Sequence, residues 1–205
     1  MWRFKCLKNS ILYIILFATL LSCSKESELR LELSTQILSF KPNYSRARSF
    51  SSNGDTINLQ LLSSSSSFSE NGALDGNYGA FDGVDRLLLE QEDYRIGSDS
   101  LGFSFNYQFR CAYAETAPSL RNDFLYLNFN DSLQEMNPDL SLRFDGDTSI
   151  FLLDRTFYSD SFFIGDKYFY EVLASQADNG MAVYLNSLGL IGFTTSTNRT
   201  FQIVN

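Results

Sequence analysis

Histidine is absent from all 205 residues. That removes Ser-His and Cys-His nucleophile pairs in their usual form, and with them His-ligated zinc, iron or copper. Cysteine occurs three times, at Cys6, Cys23 and Cys111, and proline also only three times. The one tryptophan is Trp2. No apolar run reaches membrane-spanning length: the longest uncharged stretch of that character, Ile11 to Leu21, has 11 residues, and a spanning helix needs about 20. At about 1.5 Å per residue it would cover roughly half of a bilayer core.

What that short run does fit is an export leader. Arg3, Lys5 and Lys8 precede it and the small residue Ser22 follows, which is the order of a secretory signal peptide over residues 1–22. Leu20-Leu21-Ser22-Cys23 resembles the lipobox of bacterial lipoproteins. The resemblance implies that the Cys23 thiol is alkylated by diacylglycerol and that Cys23 becomes the first residue after cleavage. Each buried methylene contributes about 0.8 kcal/mol to membrane affinity, and stable anchoring takes two chains or signals. A diacylglyceryl group supplies both. The expectation is a membrane partner reached through Cys23, with the protein held at the bacterial outer membrane.

Such processing removes Cys6 and commits Cys23, so only Cys111 remains and no disulfide can form within the domain. The leader carries three of the 16 Lys and Arg residues and none of the 24 acids. That leaves 13 cations against 24 acids, a net charge of −11. A chain this acidic lacks the basic footprint of a nucleic-acid binder. Its length is that of one domain or two small ones.

Residues 23–28 are a polar tether, and 29–205 read as one β-rich domain. Leu29, Leu31 and Leu33 alternate with Arg30 and Glu32, the period of a strand with one buried face. Asn53-Gly54 supplies the positive φ of a tight hairpin, and Ile57, Leu59 and Leu61 alternate beyond it. The clearest strand is 103–113, where Phe103, Phe105, Tyr107, Phe109, Cys111 and Tyr113 occupy every odd position. Leu125, Leu127 and Phe129 repeat the pattern, as do Leu140, Leu142 and Phe144, and Met181, Val183 and Leu185. Asp145-Gly146-Asp147, Gly165-Asp166-Lys167 and Asp178-Asn179-Gly180 punctuate these runs as turns. The serine run Ser63 to Ser67 and the glycine-rich residues 70–85 read as one long loop. Residues 114–122 and 131–137 are candidate helical turns, the second with Asp131 as its cap. The fold class is all-β, an antiparallel meander curled into a sandwich or a barrel-like sheet, and alternation does not choose between the two.

Few residues suggest chemistry. Asp75, Asn77, Asp82 and Asp85 are oxygen donors of the kind calcium takes from loops, without the spacing of an EF-hand. Asp145 and Asp147 are explained by their turn. Glu90, Glu92, Asp93 and Glu115 are carboxyls available for glycoside cleavage, but no tryptophan platform accompanies them. Cys111 reads as a small buried hydrophobe. Phe103, Phe105, Tyr107 and Phe109 would line an apolar ligand cavity if the sheet curled without filling; ordinary core packing is the competing reading.

The segment Tyr184-Leu185-Asn186-Ser187-Leu188-Gly189-Leu190-Ile191-Gly192-Phe193, preceded by Gly165-Asp166-Lys167-Tyr168-Phe169-Tyr170-Glu171-Val172 and followed by Phe201-Gln202-Ile203-Val204, is similar to the ending of many small lipoproteins of Bacteroidetes-type bacteria. That resemblance implies an extracytoplasmic β domain and no particular activity. Ser24-Lys25-Glu26-Ser27-Glu28 resembles the acidic segment that marks surface export in such proteins, with Ser27 interrupting the acids. Asp55-Thr56-Ile57, Asp99-Ser100-Leu101 and Asp131-Ser132-Leu133 resemble their O-glycosylation triplet. The functional expectation is a non-enzymatic envelope protein that binds a protein, glycan or apolar ligand and uses no cofactor. A carrier of an apolar ligand comes second, and an acid-dependent hydrolase third.

Overall fold

The computed structural model describes residues 28–71, 86–98, 102–114, 117–131, 137–145 and 149–204. Within them the chain forms β1 (Glu28–Leu31), a single turn α1 (Thr35–Leu38), β2 (Arg48–Ser52), β3 (Asp55–Asn71), β4 (Arg86–Ser98), β5 (Phe103–Ala114), β6 (Ala117–Asp131), β7 (Asp139–Asp145), β8 (Ser149–Leu153), β9 (Thr156–Ile164), β10 (Lys167–Gln176), β11 (Ala182–Asn186), β12 (Gly189–Thr194) and β13 (Thr200–Ile203). Twelve strands follow one another in the path β8-β7-β6-β5-β4-β3-β2-β13-β12-β11-β10-β9, a nearly closed, barrel-like sheet. The choice between sandwich and barrel is thus resolved toward the barrel.

The alternating apolar positions explain this closure. Phe50, Leu59, Ile96, Phe105, Leu127, Leu142, Val183 and Phe193 come from eight different strands and are all fully buried in one core. Register aligns them: Phe105 lies opposite Phe129 and Tyr107 opposite Leu127, while Leu127 faces Leu140 on its other side. Asn53 and Gly54 take φ values of 49° and 89° between the paired residues Ser52 and Asp55. That is the tight β2–β3 hairpin expected of Asn-Gly.

Two expectations are corrected. Ser63 to Ser67 form no loop; they continue β3, paired with Gln91 to Arg95 of β4. Among the described residues this part of β3 has only β4 as a neighbour, and serine is a polar residue suited to such an edge. Residues 117–122, read as a helical turn, belong to β6, which pairs back on β5 through Tyr113 and Arg121. Asp131 is the last residue of β6, and the helical turn read over 131–137 falls mostly on residues 132–136, which lie outside the described residues. The antiparallel meander carries one added parallel pairing: β1 pairs with β4, Leu29 opposite Leu87 and Leu31 opposite Leu89. β1 occupies the edge of β4 beyond Gln91, where, among the described residues, β5 pairs onward with β6 alone.

Residues 32–44 enter the core with α1. The Ser34 hydroxyl accepts from the Ile37 amide as N-cap. Leu33, Ile37, Phe40 and Tyr44 are buried with the barrel side chains, and Phe40 meets the Phe144 ring at 5.8 Å. Buried or half-buried acids hold this segment. Asp123 accepts the Ser34 amide at 2.7 Å and Glu90 the Leu33 amide at 2.8 Å.

A second, smaller cluster joins Ile164, Val172, Ala174 and Ile191 with Phe162, Phe169 and Tyr184. It arises because the tip of the β9–β10 hairpin lies against β12 and β13. A Cβ on Gly192 would stand 2.8 Å from Ile164 Cγ2, so the missing side chain makes room for Ile164. Asp166 in the hairpin turn bonds the Gln202 side chain through its carboxylate and its amide.

Candidate functional site: the open seam between β8 and β9

Most residues singled out from sequence have structural employment. Phe105, Tyr107 and Phe109 are fully buried and Phe103 is half-buried. Phe105 stacks on Phe129 at 4.6 Å and meets Phe193 at 5.0 Å, and Phe103 meets Phe193 at 5.5 Å. Rings at these separations fill the interior behind the aromatic face. Cys111 is buried, with its Sγ 3.7 Å from the Glu32 carbonyl. The side chain of Tyr113 lies outside the described set.

The acids are likewise occupied. Glu92 is buried, pairs with Lys41 at 2.8 Å and accepts the Tyr94 hydroxyl at 2.6 Å. Asp93 pairs with Arg110 at 2.6 Å, and Asp145 with Arg143 at 3.0 Å. Glu90 holds the Leu33 amide, as described above. Cys23, the loop donors Asp75, Asn77, Asp82 and Asp85, and Glu115 and Asp147 lie outside the described residues. Of the three glycosylation-like triplets only Thr56 is a described acceptor, exposed at the start of β3; Ser100 and Ser132 are not described.

The feature that sequence reading missed lies where the barrel fails to close. β8 and β9 are the two ends of the strand path. They are consecutive in sequence, joined by Asp154 and Arg155, yet they form no ladder with each other among the described residues. Asp154 turns the chain at φ 54°. β9 starts against β7, where the Thr156 hydroxyl accepts the Ser141 amide at 2.8 Å. From there β8 stays with β7 and β9 with β10.

The space between them is a cleft of about 420 Å³. Ile150 and Leu152 of β8 form one wall and Tyr158 of β9 the other. Phe40 and Leu173, both buried, belong to its lining, with Glu171 and Ser187 as polar members. Glu171 has φ 54°, an uncommon region for a residue with a side chain and a known mark of functional sites. The Tyr158 phenol is held above its ordinary pKa, first by desolvation and then by Asp160 and Glu171, which places both carboxylates near it.

The surface beside the cleft is unusually apolar. Ile150, Phe151 and Leu152 are 40–42% exposed in consecutive positions. On the outer side of the β9–β10 hairpin, Phe163, Tyr168 and Tyr170 are 54%, 69% and 70% exposed. Scattered apolar surface residues need no explanation, but clusters of large ones on a folded domain commonly mark an interaction site. Among the described residues no group of three acids or cysteines is placed to hold a metal ion. Comparison with known proteins finds no matching family, no matching curated protein and no matching solved structure.

Proposed function

We propose that this chain is an envelope protein held at the bacterial outer membrane through an acylated Cys23, and that it works by binding a partner and not by catalysis. The leader and Leu20-Leu21-Ser22-Cys23 support the anchor. One observation carries the binding reading: among the described residues, the unpaired edges of β3 and β8 differ in character. The edge of β3 runs through five exposed serines, Ser63 to Ser67. The edge of β8 is Ile150-Phe151-Leu152, left open beside an apolar cleft. A carrier of an apolar ligand is the second reading. With the core behind Phe105 filled, that reading would take this cleft as its site.

Two measurements test the proposal. Intact mass of the mature N-terminus reports a diacylglyceryl adduct on Cys23; a free thiol there ends the anchor claim. For binding, envelope proteins retained by the wild-type chain are compared with those retained by Ile150→Lys. Loss of a specific partner from the variant is the expected result. Identical retention removes the β8 edge from the interaction.

A further inference from the structure

Two strand edges border one cleft, and each lacks a neighbour on that side among the described residues. An edge strand presents a row of backbone N–H and C=O groups, a template for another strand. Ile150 and Leu152, two positions apart on β8, both line the cleft, whereas Phe151 between them lies under the Arg143 guanidinium at 4.6 Å. A strand laid along β8 would therefore meet apolar side chains at alternate positions and, at every second residue, the backbone groups that β7 does not use. Beside Tyr158 it would meet the carboxylates of Glu171 and Asp160, on a chain whose charge is already −8.

Resting on the binding reading above, we infer that the β8–β9 seam is a strand-addition site. Its occupant is an extended segment of a partner protein, apolar at alternate positions and carrying a Lys or Arg that reaches Glu171. An acyl chain matches this chemistry less well. It would cover Ile150, Leu152 and Leu173, yet leave the backbone groups of both edges to water and the two carboxylates without a cation. A peptide strand supplies all three complements at once.

The test uses the full chain in nanodiscs with a synthetic peptide, Val-Thr-Val-Lys-Val-Thr-Val. Three comparison probes are the same peptide N-methylated at alternate amides, the peptide with Glu in place of Lys, and oleate. Fluorescence anisotropy reports affinity, and amide hydrogen exchange reports where protection appears. Expected are protection in β8 and β9, and about a tenfold loss of affinity on N-methylation or in the Ile150→Lys variant. Glu171→Lys reverses the preference between the Lys and Glu peptides. Leu61→Lys, on the exposed side of β3, changes nothing. Equal binding of the N-methylated peptide, protection elsewhere, or protection of the cleft by oleate and not by peptide overturns the inference. If no peptide binds while Ile150-dependent retention of an envelope protein persists, strand addition fails and the binding reading stands. If both are absent, both fail.

Discussion

Truncating Phe105 to alanine asks whether the barrel is packed or hollow. Its ring is fully buried, stacked on Phe129 at 4.6 Å, 5.0 Å from Phe193 and 6.2 Å from Phe103. All of these neighbours belong to rigid strands locked in register, so the site has little freedom to collapse. A buried Phe-to-Ala change in such a setting costs about 3–5 kcal/mol. For a domain of this size, 1 kcal/mol moves Tm by about 2–4 °C, so Phe105→Ala should melt roughly 6–20 °C lower. The void left behind is lined by apolar side chains, the rings of Phe129 and Phe193 and the buried Ile96 opposite on β4. Apolar cavities of this sort stay dry and take up benzene, so added benzene should return part of the lost stability. Differential scanning calorimetry with and without benzene measures both effects. A loss below about 1 kcal/mol would show that Phe105 lines existing empty space. That result would restore the ligand cavity behind residues 103–109 and refute the packed interior.

Three further outcomes follow from local geometry. Gly192→Ala places a Cβ 2.8 Å from Ile164 Cγ2 and 2.8 Å from the Phe201 carbonyl, and should destabilise by about 1–3 kcal/mol. Adding Ile164→Ala should relieve only the first clash, so urea unfolding of the cycle should show coupling of about 0.5 kcal/mol or more; strict additivity would separate the hairpin tip from β12. Asp123→Ala removes the buried acceptor of the Ser34 amide, at a cost of about 1.5–3 kcal/mol for a bond to a charged group. Faster hydrogen exchange at Ser34 and Ile37 is the specific sign, and unchanged exchange there would refute the role given to Asp123. Burial raises the phenol pKa of Tyr44 and Tyr107, and burial with the Glu92 hydrogen bond raises that of Tyr94. Burial alone would lower Lys41, but its bonds to Glu92 and Tyr94 outweigh this and raise it. All four groups keep their protons longer folded than unfolded, so their contribution is intact below the ordinary values of 10.0 and 10.5 and is lost as pH rises beyond them. The urea midpoint should hold to about pH 9 and fall above pH 10, less steeply in Tyr107→Phe; a flat midpoint through pH 11 would contradict this.

Period-two alternation located β5, β6, β7 and β11 because their inward side chains all enter one core, and burial on a single face is what alternation encodes. It could not locate Ser63 to Ser67 as strand, since a polar segment carries no such signal. That segment is strand because β4 pairs with it residue by residue, a long-range cause invisible in a local window. The parallel pairing of β1 was hidden for the same reason: Leu29 and Leu31 alternate identically in either direction. The short α1 left only a faint trace, Ser34 before Thr35-Gln36-Ile37-Leu38. Its burial depends on acids in β4 and β6 far along the chain.

The open seam did leave a mark in the sequence, though not one that alternation reveals. Ser149-Ile150-Phe151-Leu152-Leu153 is, among the described residues, the one strand of this sheet with three consecutive exposed large apolar residues. A continuous apolar run ordinarily belongs to a strand buried on both faces. β12, Gly189-Leu190-Ile191-Gly192-Phe193, obeys that rule: its inner face meets the core and its outer face meets the folded-back hairpin tip. β8 has the same run of apolar residues, yet none of them is buried in either cluster. One face of β12 is completed by Ile164 of this chain, whereas nothing among the described residues completes β8. Among the described residues, this sequence lines the unpaired edge of β3 with serines. Where it instead places Ile150, Phe151 and Leu152, the composition is that of an edge meant to be covered, and the cover must come from outside the described fold.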